Sequence, residues 1–528
     1  MQTGHARGCV NGGRTLHAFP LLVRVSSNAP RVALVVLLLL LGVLALAKLA
    51  QDWVALFNPL QVDYGESFVY AAAARVARGE VLYQPLVEDG FLFPANYTPL
   101  YYLVTALLQA VLGPGLIWGR ATSLVATLVS SACVGMIAGR RAKSWLISCL
   151  AVVFFIALGF IGTVPWAAIY RVDMLGVAFS VSTVFVLDGG LSARRVILAG
   201  VLAAAAVLTK QTLIAPTLAG LVWLATLRAW RLAALFAGAA IGGTVLVWGI
   251  AQLMMPAFTE DVIGTNLNEF RLDLLIGRGL VVLFTQLVPI VLGASYVLAT
   301  RAWARSSDRL LILYWLAAAI PVLGIGKAGA STNYSLEFAA AGAILGALGA
   351  WYATRCVSRL ASLGLGFGMA YAVLTISAGT LQATWASTLE LQNTTEHDAG
   401  EFRQLVDRVR REPRLVLAEP ADVVTLAGKP VLLEPLLASF FLDAGQYDPG
   451  PLVQRICRGD VGLAVLARPM DLQVDQTYDG HRVWPLPILQ ALMQTMQLDG
   501  MQAGRAVYVQ HQPLPTCAPI QASGALRR

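Results

Sequence analysis

Apolar positions in this chain gather into long unbroken runs. They lie at 31–50, 118–139, 144–163, 172–189, 195–210, 212–228, 231–255, 278–300, 309–326, 333–354 and 358–380. A helix that crosses the hydrocarbon core of a bilayer needs about 20 such residues, so eleven spanning helices are predicted. A further run, 99–112, has about 14 residues, a length that suits a segment dipping into the interface. Beyond about 385 the pattern changes. Phe402, Leu405, Val406 and Val409 mark an amphipathic helix. Short apolar runs at 414–418, 430–433, 461–467 and 506–510 then alternate with helical patterns at 421–427, 436–443 and 451–458. Strands alternating with helices predict a small α/β domain with a largely parallel sheet. The expected fold is a polytopic α-helical membrane protein with an appended α/β domain. Its parts are an N-terminal tail (1–30), a membrane domain (31–384) with a long loop at 51–117, and a C-terminal domain (385–528).

Composition agrees with this division. Of 528 residues, 57% are hydrophobic and only 13% charged, about half the charged share of an ordinary soluble domain. The charges crowd into the stretch after 390. The net charge of +8 does not point to nucleic acid, because the basic residues sit in small clusters between apolar runs and form no stripe. Such clusters encode topology, since loops rich in Lys and Arg stay on the cytoplasmic side. With the N-terminus inside, the inner loops hold Arg140, Arg141 and Lys143, then Arg194 and Arg195, then Arg228 and Arg231, then Arg301, Arg305 and Arg309, and finally Arg355 and Arg359. Making 99–112 a true span would turn every later cluster outward. The tail is therefore expected in the cytoplasm, with the 51–117 loop and the C-terminal domain on the outer side. The first run lacks a small-residue cleavage site and reads as a retained helix, not a signal peptide.

The outer loops hold the candidate chemistry. Residues 65–78 follow helical spacing, with Asp63 at or near the N-cap and Glu66 in the first turn. An Asp-x-x-Glu pair is a common helix cap; its place at the membrane surface, directly after the first span, also makes it a candidate for acid–base work. Asp173 opens a span, where a carboxylate is costly unless paired or functional, and Arg171 lies two residues before it. Lys210, Lys327 and Glu337 sit at span ends on the same side. Carboxylates and cations on one face suit activation of a hydroxyl and binding of an anionic headgroup, though a lone lysine at a helix end is also an ordinary interfacial anchor.

These residues form a recognisable order. An acid follows the first span, then an outer helix, then Pro94-x-x-Tyr97-x-Pro99-Leu100-Tyr101-Tyr102, then Gly119-Arg120, then Arg171-x-Asp173-Met174. The chain resembles the GT-C superfamily of membrane glycosyltransferases, in the branch of protein O-mannosyltransferases and lipid A aminoarabinose transferases. That resemblance implies a bacterial inner-membrane enzyme with a polyprenyl-phosphate sugar donor and a lipid, glycan or protein acceptor. Inverting transfer would take place on the outer face, with no cofactor and no metal site. Asp63 would be the leading catalytic residue and Glu66 its neighbour. Arg171, Asp173, Lys210, Lys327, Tyr97, Arg120 and Glu337 would handle substrate. The chain departs from the pattern where Tyr64-Gly65-Glu66 replaces adjacent acids, and where Tyr97-Thr98-Pro99 replaces His-Pro-Pro.

The C-terminal domain carries no phosphate-binding glycine loop, so an acceptor-binding, lid or capping role is expected. Cys457 and Cys517 are the two cysteines of that domain, and an oxidising compartment permits a disulfide between them. A transporter or flippase is the competing class. Matched broken spans in two halves, the usual sign of one, are absent from the pattern.

Overall fold

The computed structural model describes residues 29–356, 359–474, 476–515 and 517. It opens with α1 (Ala29–Phe57), then α2 (Glu66–Ala77) and α3 (Leu100–Leu112) within the long first loop. The bundle continues through α4 (Ile117–Ala142), α5 (Trp145–Gly159), α6 (Asp173–Asp188), α7 (Ala193–Thr209) and α8 (Ala215–Thr226). Next come α9 (Trp230–Ala237) and α10 (Gly243–Met254), joined into one rod by a π-turn at Gly238–Gly242. After the short α11 (Phe258–Val262) follow α12 (Leu272–Thr300), α13 (Ser306–Val322), α14 (Leu336–Cys356) and α15 (Arg359–Arg411). Among the described residues six helical stretches are long and apolar enough to cross a membrane, and Leu100–Leu112, Trp145–Gly159 and Ala215–Thr226 are shorter apolar helices.

Helix α14 occupies the middle of the bundle. Its small residues allow close approach to α12, the usual device where helices pack in lipid. A Cβ on Gly349 would lie 2.1 Å from the Leu292 carbonyl oxygen, and one on Gly346 would lie 2.8 Å from Pro289. The two ends of the bundle differ in chemistry. At one end Arg141 pairs with both Asp188 and Asp308, tying α4, α6 and α13 together. The other end carries the 51–117 loop, the connections at 160–172, 210–214 and 323–335, and the C-terminal domain.

The C-terminal domain grows directly from α15, whose 53 residues run unbroken to Arg411. The boundary expected at 385 therefore falls inside a helix. Phe402, Leu405, Val406 and Val409 form its buried stripe, packed on the sheet. The strands are β1 (Leu415–Glu419), β2 (Val461–Leu466), β3 (Thr477–Tyr478), β4 (His481–Arg482), β5 (Met496–Gln502) and β6 (Arg505–Gln510). The helices are α16 (Asp422–Leu426), α17 (Pro435–Asp443), α18 (Gly450–Arg458), α19 (Met470–Gln473) and α20 (Leu486–Thr495).

Two sequence expectations are corrected here. The four-stranded sheet runs in the order β1-β2-β6-β5 and is mixed. Only β1 and β2 are parallel, as a crossover through helices requires; β2–β6 and β6–β5 are antiparallel. The last pair is a hairpin whose turn residues, Ala503 and Gly504, both have positive φ, the geometry that matches strand twist in a two-residue turn. The run 430–433 is not a strand. Proline at 430 and 435 brackets it, and only Leu433 makes an isolated bridge, to Leu92 of the first loop.

Cys457 and Cys517 form a disulfide with a Cα separation of 5.7 Å, joining α18 to the segment after β6. Replacing both by serine is expected to lower the stability of this domain by about 2–4 kcal/mol. The measurement is a denaturant midpoint by limited proteolysis, with and without reductant.

Candidate functional site

A cavity of about 110 Å³ lies between the loop end of the bundle and the C-terminal domain. Its walls include Tyr64 and Gly65 before α2, Tyr97, Arg171, Asn266, Lys327, Tyr334 and, from the appended domain, Glu434 and Phe440. Elements from five loops thus meet at one point.

Asp63 sits in a tight turn in front of α2. Its Oδ2 accepts from the Gly65 amide at 3.0 Å and from Arg171 Nη1 at 2.9 Å. Asp63 does not itself wall the cavity; it stands behind Gly65 and Arg171 and keeps 25% of its side chain exposed. Gly65 makes the pairing possible, because a Cβ there would fall 1.9 Å from Arg171 Nη1. Gly65→Ala is accordingly expected to displace the guanidinium and separate it from Asp63, a change that a crystal or cryo-EM structure of the variant would reveal.

Arg171 also donates to the Tyr97 hydroxyl at 3.3 Å, and its Nε lies 3.9 Å from Asp173 Oδ2. Burial opposes its charge, but Tyr97, Asp63 and Asp173 outweigh that and hold its pKa above the ordinary value. Asp173 in turn accepts from Lys210 Nζ at 2.6 Å and from Asn333 Nδ2 at 2.9 Å. The Lys210 ammonium lies 4.4 Å from the Tyr334 ring centre, and Lys327 lies 5.6 Å from the same ring. Lys327 differs from the other two cations. Among the described residues it has no carboxylate partner and donates only to the Asn266 carbonyl, at 3.0 Å. Its loop is clamped by the C-terminal domain: Asp479, in the β3–β4 turn, accepts from the Gly329 amide at 2.8 Å and from Arg278 at 2.6 Å.

Three expected site residues lie elsewhere. Glu66 and Arg120 are fully buried and paired in a fork, with Nε–Oε1 at 2.6 Å and Nη2–Oε2 at 2.7 Å. Glu66 also accepts from the Val62 and Tyr170 amides, and Arg120 donates to the carbonyls of Ala55, Asn58 and Leu60. Every polar atom of the pair has an internal partner, so the pair pins the first loop to α4 and walls no part of the cavity. Glu337 is buried inside the bundle against Ser180, which also meets the Tyr314 hydroxyl; it too is away from the cavity. Among the described residues no three His, Cys, Asp or Glu side chains gather to hold a metal ion.

Sequence reasoning missed Glu434. Its carboxyl is pushed up to about 7 by burial, which Arg171 partly opposes, and burial does the same to Glu419. Each ionises more readily in the unfolded chain, near its ordinary 4.5. Between 4.5 and 7 the native state therefore binds more protons, and stability falls as pH rises. Thermal melts from pH 5 to 8 are expected to show this decline, with Glu434→Gln and Glu419→Gln each flattening it.

The fold is one that solved structures of other membrane proteins share. Among solved structures the chain is similar to ArnT from Cupriavidus metallidurans bound to undecaprenyl phosphate (TM-score 0.57, 14% identity, 92% of this chain and 98% of that one). It is similar to the apo form of the same enzyme (0.56, 15%, 88% and 96%). The oligosaccharyltransferase of Archaeoglobus fulgidus matches less closely (0.50, 12%, 82% and 70%). No family model matches the sequence, and no curated protein matches it either.

Proposed function

We propose that this protein transfers a sugar from a polyprenyl-phosphate donor to an acceptor hydroxyl on the outer face of the membrane. The observation that carries the reading is the pairing of Asp63 with Arg171 across Gly65, at the edge of a cavity that Lys327 also lines, its ammonium without a carboxylate partner among the described residues. The fold it shares with an enzyme solved with undecaprenyl phosphate supports the choice of donor. The cavity lies at the end of the bundle opposite the arginine-rich loops, in keeping with an outer location.

In this mechanism the donor phosphate lies against Lys327 and Arg171. Arginine offers a planar fork and lysine a point charge, both suited to phosphate. The acceptor hydroxyl approaches at the cavity edge, on the part of the Asp63 carboxylate that Gly65 and Arg171 leave exposed, and gives its proton to Asp63 as its oxygen bonds to the anomeric carbon. The bond from that carbon to the phosphate oxygen breaks at the same time, and the electron pair leaves with the polyprenyl phosphate. Attack opposite the leaving group inverts the anomeric centre. The cations stabilise the charge that develops on the phosphate, the larger part of such catalysis. Asp173 and Lys210 position Arg171 and touch no substrate. Glu66, Arg120 and Glu337 have architectural roles.

Lys327→Ala is expected to weaken donor binding about tenfold, the scale of one hydrogen bond to a charged group. Lys327→Arg should restore most of it. The test is the donor dependence of sugar transfer in membranes; equal KM for wild type and Lys327→Ala would remove Lys327 from the phosphate site.

A further inference from the structure

We propose that Glu434 recognises the sugar of the donor, its carboxylate accepting hydrogen bonds from the sugar's hydroxyl or ammonium groups. The inference rests on the donor reading above and makes the C-terminal domain a partner in substrate selection.

Glu434 occupies the N-cap of α17. An acceptor side chain at that position ordinarily takes a hydrogen bond from an amide of the first turn. Glu434 makes no such cap. Its side chain turns into the cavity alongside Tyr64, Arg171 and Lys327. No hydrogen bond to this carboxylate is made by any described residue, and its electrostatic neighbour is Arg171, beyond ion-pair distance. Glu434 is half-buried, so its carboxylate stays open to the cavity, where a ligand that supplies donors can meet it.

The backbone at this point is held by the first loop. The Glu434 amide donates to the Leu92 carbonyl at 2.8 Å, the Leu92 amide to the Leu432 carbonyl at 2.9 Å, and the Leu436 amide to the Tyr64 hydroxyl at 3.2 Å. The first loop, through Leu92 and Tyr64, therefore fixes the backbone that presents Glu434, and a preset backbone reduces the cost of binding. The other carboxylates nearby are engaged, Asp63 by Arg171 and Asp173 by Lys210 and Asn333. The cavity is thus divided by charge. Cations at Lys327 and Arg171 suit the phosphate, and the two acceptor oxygens of Glu434 suit paired donors on a saccharide. Phe440 and Leu437 beside it offer an apolar surface for the sugar's C–H face.

The test compares full-length wild type, Glu434→Ala and Glu434→Gln in nanodiscs. Three probes are used: undecaprenyl phosphate, undecaprenyl-phosphate mannose and undecaprenyl-phosphate aminoarabinose. The readout is the ratio of sugar-loaded to sugar-free affinity by native mass spectrometry. Wild type is expected to bind at least one sugar-loaded probe about tenfold more tightly than undecaprenyl phosphate, the scale of hydrogen bonds to one carboxylate. Glu434→Ala should bring that ratio to about one while leaving sugar-free affinity within a few-fold. Glu434→Gln keeps the shape and should lower the ratio less. A wild-type ratio of one, an unchanged ratio in both variants, or an equal loss for loaded and unloaded lipid overturns the inference. Failure of wild type to bind any of the three lipids overturns instead the donor reading on which it rests.

Discussion

Asp63→Asn is expected to reduce sugar transfer about 10²–10⁴-fold, the usual contribution of a positioned general base, with donor affinity changed far less. Asparagine preserves the shape and the acceptor oxygen that meets the Gly65 amide. It loses the basicity and the charge facing Arg171, 2.9 Å away. A fall in kcat with KM nearly constant is the signature of a group that acts in the transition state. A variant in which the acid is merely a helix cap would lose a little stability and keep its turnover. The assay follows label from a polyprenyl-phosphate sugar into the membrane fraction, and near-wild-type turnover of Asp63→Asn removes it from the chemistry.

The second large effect concerns folding. Arg120→Ala leaves Glu66 charged and fully buried without its partner, and strands the carbonyls of Ala55, Asn58 and Leu60. Breaking one side of a buried ion pair costs about 3–5 kcal/mol, enough to prevent stable accumulation of many membrane proteins. Glu66→Gln should be damaging in the same way, but less so, because one of the Val62 and Tyr170 amides keeps an acceptor oxygen while the other faces the new amide NH2. Detergent melting curves by intrinsic fluorescence are the check. If Glu66→Gln melts as wild type does yet loses turnover, Glu66 belongs to the chemistry after all. This contrast separates the two acids that the sequence places three residues apart.

Much of the membrane body was legible because apolar runs need no partner to be recognised. Each of the eleven runs overlaps helix, although among the described residues only six helical stretches are long and apolar enough to cross a membrane, and 99–112 forms a short helix of its own. The carboxylates and cations at the loop end were legible for a related reason, since a charge at a helix end within an apolar sequence stands out. Their pairing was not. Glu66 and Arg120 are 54 residues apart, and nothing in the local pattern of either says that they close on each other. Glu434 escaped notice because it is supplied by another domain, and a Glu before Pro435 at a helix start reads as ordinary capping. Strand β5 was missed because Gln497, Asp499 and Gln502 make an exposed, polar edge strand, which lacks the apolar run that revealed β1 and β2. The largely parallel sheet inferred from strands alternating with helices then failed where β6 and β5 joined β2 as antiparallel neighbours.

The proposed mechanism requires above all that this cavity take a polyprenyl phosphate. The direct measurement is titration of undecaprenyl phosphate into nanodisc-embedded protein, with wild type beside Lys327→Ala and Arg171→Lys. Saturable binding by wild type, weakened about tenfold in either variant, is the expected result. No binding by wild type, or equal binding by all three proteins, would contradict it.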